Sequence, residues 1–234
     1  MASADGMGYE QLDRPAWNAL TTRWAGIAEG DAQAWRVDRD YGVFGAAADR
    51  SPESLAALAA LVPAQGELWL VEREDWPAPP GIRFARQAEC VQMICDSLTL
   101  GKAPGFEIAE LDEDDAPAMY NLAMLTQPGP YVAHTNRLGE FIGVKQDGRL
   151  IAMAGERMKV PGLSEVSGVC THPDHRGKGY AGALMRVVAE RMIARGETPW
   201  LHAYAGNVGA ITLYESLGFR LHGTVTASVL VREN

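Results

Sequence analysis

The chain has 234 residues, 47% hydrophobic and 22% charged, with 25 glycines and 13 prolines, a folded composition that is neither disordered nor collagen-like. A net charge of −9 argues against a nucleic-acid partner, which needs a basic face, and no run of ~18 apolar residues predicts a membrane span. Cys90, Cys95 and Cys170 fit neither a disulfide framework nor zinc spacing, and MASADGMGYEQLDRPAW lacks the basic start and apolar stretch of a secretory signal. A reduced, cytoplasmic protein is expected.

Pro15 suits a helix start, and Trp17, Leu20, Trp24 and Ile27 recur at helical spacing, which predicts a helix to about Ala28. Tyr41 to Ala48 reads as a strand. Ser51 is the expected N-cap of a short helix beginning at Pro52. Glu67 to Glu72 alternates like a strand, Trp76 to Gly81 (WPAPPG) is a loop, and Cys90 to Cys95 reads as a further strand. Nothing in these hundred residues gathers polar side chains into a chemical site, so they read as a scaffold.

A break falls near Gly101-Lys102-Ala103-Pro104-Gly105. It sets residues 1–100 as an N-terminal α/β region and 101–234 as a second domain. Phe106 to Leu111 then reads as a strand and Asp112 as the N-cap of a helix to about Thr126, stopped by Gln127-Pro128-Gly129-Pro130. Glu140 to Lys145 and Arg149 to Lys159 predict a hairpin about Gln146-Asp147-Gly148. Glu165 to Thr171 is a strand, Gly179 to Ala194 a long helix, Pro199 to Ala203 a strand and Val208 to Leu217 a helix ended by Gly218. Phe219 to Val231 reads as a closing hairpin.

The chemistry concentrates in Val169-Cys170-Thr171-His172-Pro173-Asp174-His175-Arg176-Gly177-Lys178-Gly179-Tyr180-Ala181. A strand ends, a proline turns the chain, and a glycine-rich basic loop opens a helix. Unpaired amides at a helix start, reached through glycines, suit a diphosphate. A nucleotide P-loop fails, because no Lys-Ser/Thr pair follows the second glycine. Gly177, Gly179 and Gly182 do satisfy the G-x-G-x-x-G of dinucleotide binders. Four residues, however, separate strand from loop, and the next strand ends without an acidic ribose ligand. His172 and His175 lack a third or fourth ligand at recognisable spacing, so no metal is expected.

Arg176-Gly177-Lys178-Gly179-Tyr180-Ala181 resembles the Q/R-x-x-G-x-G/A loop of the GNAT superfamily of acetyl-CoA-dependent N-acetyltransferases. Asn207 to Phe219 (NVGAITLYESLGF) is similar to that family's second signature, N-x-x-A-x-x-L-Y-x-x-L-G-F. The resemblance covers roughly Gly105 to Arg232. It implies an α/β fold: a mixed, mostly antiparallel sheet flanked by helices, preceded here by a smaller α/β region readable as a degenerate copy of the same fold. It further implies that Val169, Cys170 and Thr171 meet the pantetheine arm of acetyl-CoA. The amides of Arg176, Gly177, Lys178, Gly179, Tyr180, Ala181 and Gly182 would hold the pyrophosphate, with Asn207 near the arm or serving as a plain N-cap. Tyr214 would protonate the leaving thiolate.

An attacking ammonium must lose a proton, and Glu165 and Glu156 are the candidate bases, beside ordered water. Cys170 reads as a small apolar contact rather than a nucleophile. The implied activity is acetyl transfer to a primary amine, carried by a small molecule or a peptide, in a monomer or homodimer. A non-catalytic acyl-CoA-binding sensor or scaffold is the alternative.

Overall fold

The computed structural model describes residues 9–233. The chain forms two compact units. The first comprises residues up to Val37, Phe44–Cys90 and the residues from Thr224 onward; the second comprises Asp38–Val43 and Val91–Gly223. The sequence reading places one break after residue 100. The observed units are instead interleaved, because two long strands, β5 (Ile82–Ile94) and β11 (Arg220–Arg232), each contribute residues to both.

In the first unit, α1 (Pro15–Leu20) precedes a small antiparallel sheet of β1 (Ala28–Asp31), β2 (Ala34–Val37) and β3 (Gly45–Ala47). The expected helix to Ala28 stops at Leu20, where the chain turns and Trp24 is buried against Phe44. Tertiary packing of one tryptophan outweighs the helical spacing of the other apolar residues. The strand expected from Tyr41 shortens to the three residues of β3.

Helix α2 (Pro52–Leu61) starts as expected, the Ser51 hydroxyl accepting from Ser54 N at 3.2 Å. Strand β4 (Leu68–Glu72) pairs antiparallel with β11, Leu68 opposite Leu230 and Glu72 opposite Thr226. Leu58, Val62, Leu68, Leu70, Ile82 and Leu230 form the core of this unit.

In the second unit the sheet runs β5-β10-β9-β8-β7-β6, from β6 (Ala109–Leu111), β7 (Phe141–Gln146), β8 (Arg149–Val160), β9 (Leu163–Thr171) and β10 (Thr198–Tyr204). All pairs from β6 to β9 are antiparallel, and β9 with β10 is parallel. The β7–β8 turn carries positive φ at Asp147 and Gly148, the backbone a two-residue hairpin demands.

Helix α3 (Ala116–Thr126) follows a capping box at Asp112 and Asp115, and ends where Gln127 turns left-handed at φ 49°. It packs Met119, Leu122 and Ala123 onto Phe141, Met153 and Cys170 of one sheet face. Helix α4 (Tyr180–Ala194) buries Leu184, Val188 and Met192 on the other, against Met93, Val166 and Leu201. Helix α5 (Val208–Ser216) leads to β11. The expected closing hairpin is instead the single strand β11, since Gly223 does not adopt the positive φ of a turn. Among the described residues no helix is long and apolar enough to cross a membrane.

Candidate active site

The β9–β10 ladder has three rungs, Thr198 opposite Leu163, Pro199 opposite Ser164 and Trp200 opposite Glu165. Beyond the last rung the two strands part. The cause lies in β9, where Met153 pairs Cys170 but Gly155 pairs Ser167, an extra residue on the β9 side. That bulge contains Gly168 at φ 63°, where a side chain would also strike Phe141 at 2.8 Å. Bulges bend a strand and increase its twist. Here the bent half of β9 stays bonded to β8 and leaves β10.

The opening continues into a cleft of about 640 Å³, a volume suited to a cofactor-sized ligand. Val169, Cys170 and Thr171 line it on the β9 side, and Arg176 to Gly182 line it at the start of α4. Leu213 and Tyr214 of α5 and its N-cap Asn207 line it too, as do Thr126, Gln127, Pro128 and Tyr204. The structure thus brings together Tyr214 and every residue for which cofactor contact was expected. The sequence reading did not reach Tyr204 or the Thr126–Pro128 corner.

The loop turns its amides outward. Gly177 and Gly179 hold φ of 76° and 80°, a region other residues enter at a cost. The first bond within α4 runs from Ala183 N to Gly179 O, so the preceding amides project from the positive end of the helix. The exposed side chains of Arg176 and Lys178 stand beside them.

Asn207 caps α5, its Oδ1 accepting from Ala210 N at 3.3 Å. No residue of α5 is fully buried, because part of its inner face lines the cleft. Tyr214 is half-buried, and burial raises its phenol above the ordinary value, which keeps the hydroxyl protonated. Cys170 is buried and its thiol is pushed up to about 11 by desolvation; a neutral thiol is a poor nucleophile.

The two candidate bases lie elsewhere. Glu156 is buried among cations, paired with Arg195 just past the C-terminal end of α4 and with Lys159 at 2.5 Å. The cleft is at the opposite end of that helix. Glu165 sits on the last β9–β10 rung and is fully buried. Both its oxygens are engaged: Arg157 donates to Oε1 at 2.7 Å and to Oε2 at 2.9 Å, and Met158 N donates to Oε2 at 3.1 Å. His202 Nδ1 lies 3.0 Å from Oε1. Burial pushes this carboxyl up, but Arg157 and His202 outweigh it and hold it at about 2. Neither glutamate lines the cleft.

His202 and Arg157 were missed by sequence reasoning. The available signal was one imidazole within the apolar strand Pro199-Trp200-Leu201-His202-Ala203.

A family profile described as FR47-like protein matches residues 141–229. The chain is 47% identical to a protein of the GNAT family from Novosphingobium aromaticivorans, over 95% of this chain and 99% of that one, with a TM-score of 0.86. It is 30% identical over 118 residues to the ribosomal protein bS18-alanine N-acetyltransferase of Escherichia coli, across 48% of this chain and 79% of that enzyme. A GCN5-related N-acetyltransferase from Kribbella flavida, 19% identical, shares the fold over 98% of this chain and 97% of its own, with a TM-score of 0.67.

Proposed function

Because the chain belongs to the GNAT superfamily of N-acetyltransferases, we propose that it transfers an acetyl group from acetyl-CoA to a primary amine by direct attack within a ternary complex. The observation that carries this reading is the three-rung β9–β10 ladder, which opens beside the free amides of a glycine-led helix. Acetyl-CoA, when bound, supplies an already activated acyl thioester. The chain's residues have three tasks.

The amides from Gly177 to Gly182 and the charges of Arg176 and Lys178 fit a diphosphate. The edge of β9 from Val169 to Thr171, no longer paired with β10, offers main-chain groups to an extended arm and a donor to a carbonyl oxygen. Tyr214 supplies a proton where a thiolate leaves, a role that suits a phenol kept neutral by burial. Holding donor and acceptor together provides much of the acceleration.

A bound amine, small molecule or peptide, is the acceptor class. The curated relative acts on the alanine of a ribosomal protein, which supports including peptide N-termini in a first acceptor panel. The test is calorimetry with acetyl-CoA, followed by thiol release across that panel. Tyr214→Phe keeps the ring and its packing, so acetyl-CoA affinity and melting temperature hold while turnover drops about 10²-fold. Full activity in that variant returns Tyr214 to the core. Gly179→Val puts a branched residue at φ 80° in the loop and should weaken acetyl-CoA binding. Binding with no amine-dependent thiol release leaves a non-catalytic acyl-CoA module, and absence of binding overturns the site.

A further inference from the structure

Resting on that reading, we infer that His202 is the base that takes the proton of the acceptor ammonium, with Glu165 and Arg157 as its positioning residues. Alternation along the strands places the group. Val166, Leu201 and Met93 face the α4 side of the sheet. Their neighbours Glu165, His202 and Gln92 therefore lie on the opposite face. Trp200 makes the last rung with Glu165, and His202 is the next β10 residue on that face, past the end of the ladder. Tyr204, two residues further along the same face, lines the cleft. His202 thus lies on β10 between Trp200, on the last rung, and Tyr204, which lines the cleft.

The contacts fix which nitrogen can work. Glu165 is an anion with Arg157 clamped on both oxygens, so it can only accept from His202 Nδ1, which therefore carries the hydrogen. In the neutral ring the lone pair then resides on Nε2, where the Gln92 amide nitrogen lies at 3.2 Å and donates. Trp200 packs edge-on at 4.7 Å between ring centroids and steadies the ring.

Three side chains bear on the ring or on its partner carboxylate. β9 gives Glu165, β8 gives Arg157 through that carboxylate, and β5 gives the neutral Gln92. A side chain 12% exposed is held firmly yet remains reachable. An incoming ammonium is a stronger donor for the lone pair than the amide it displaces.

The step balances without a further reactant. An N–H bond of the ammonium breaks, its electron pair stays on the amine nitrogen, and the proton forms a bond to Nε2. The resulting imidazolium is stabilised by the Glu165 anion across Nδ1–H, and later releases its proton to solvent. Glu165 itself, tied by Arg157 and a backbone amide, keeps its charge throughout. Its role is to fix the tautomer and orientation of the ring, as a carboxylate does for an imidazole base elsewhere.

Two measurements test this. Nitrogen NMR of the His202 imidazole in the whole protein should show the proton on Nδ1 and a bare Nε2; the opposite tautomer overturns the assignment. With an amine that the wild type acetylates, His202→Ala and His202→Gln should lower kcat by about 10²–10⁴-fold, with acetyl-CoA affinity and melting temperature retained. The acidic limb of the pH–rate profile should disappear, and added imidazole should restore part of the rate to His202→Ala.

A variant with full turnover and an intact limb overturns the base assignment while leaving acetyl transfer standing. Failure of the wild type to release thiol with any amine overturns acetyl transfer itself and this assignment with it.

Discussion

Glu72 in the first unit and Glu165 in the second are each buried against an arginine, and the two pairs differ in what else surrounds the carboxylate. In the first unit Glu72 takes the Arg14 guanidinium at 2.9 and 3.2 Å, but Arg14 divides its donors with the carbonyls of Ala47 and Ala48. Burial wins there, and the Glu72 carboxyl is raised despite Arg14. In the second unit Glu165 is more completely buried, yet Arg157, a backbone amide and His202 all converge on it and hold it at about 2. A shared ion pair leaves an anion short of partners; an over-supplied one fixes the charge and can orient a neighbour. The number of donors, rather than depth of burial, separates a structural pair from one able to serve a site.

That contrast can be broken by substitution. Glu165→Gln leaves the Arg157 guanidinium, only 11% exposed, without its counter-charge and should cost about 3–5 kcal/mol in chemical denaturation. Glu156→Gln strands Arg195 and Lys159, which are 35% and 19% exposed and closer to solvent, so about 1–3 kcal/mol is expected. It should leave the pH–rate limb in place. Glu72→Gln should cost least, about 1 kcal/mol, because Arg14 keeps its two carbonyl acceptors. A Glu72 variant as damaging as the Glu165 one removes the distinction.

The pH dependence of stability sharpens the same comparison, with opposite signs. Glu165 has a folded value below its ordinary 4.5. Its contribution is therefore complete above that value and is lost as the pH falls toward about 2. Glu72 has a folded value above 4.5, so the folded state prefers its protonated form. Its contribution is greatest at low pH and declines as the pH rises through the raised value. Denaturation midpoints measured across the acid range should lose the first slope in Glu165→Gln and the second in Glu72→Gln. Parallel slopes in the two variants contradict the account.

Features written in neighbouring residues were legible without coordinates. The Ser51 cap, the Asp147-Gly148 turn, the helix stop at Gln127 and the Asn207 cap all follow from local backbone chemistry, and each stands where expected. The cleft lining was legible for a second reason, since loop and helix signatures keep fixed spacing. Illegible were features decided by register. Glu165 and His202 are 37 residues apart, and only strand pairing places them on one face at the end of the ladder. Glu165 looks available in the sequence because Arg157, eight positions earlier, gives no local sign of being its clamp. The continuous run of β11 was hidden by Gly223, a residue that permits a turn without requiring one.

Strand β5 also determines what can be cut from this chain. Residues 91–94 belong to the second unit and form the sheet row beside β10, with Cys95 N bonded to Pro199 O at 2.8 Å. A fragment starting at Gly101 would retain both signature motifs and the whole stretch matched by the family profile. It would lack that row, leaving the inner strand β10 as an unprotected edge of hydrogen-bonding groups that recruits other chains. The stretch matched by the family profile is therefore smaller than the sheet it belongs to, and the missing row is encoded upstream of both motifs.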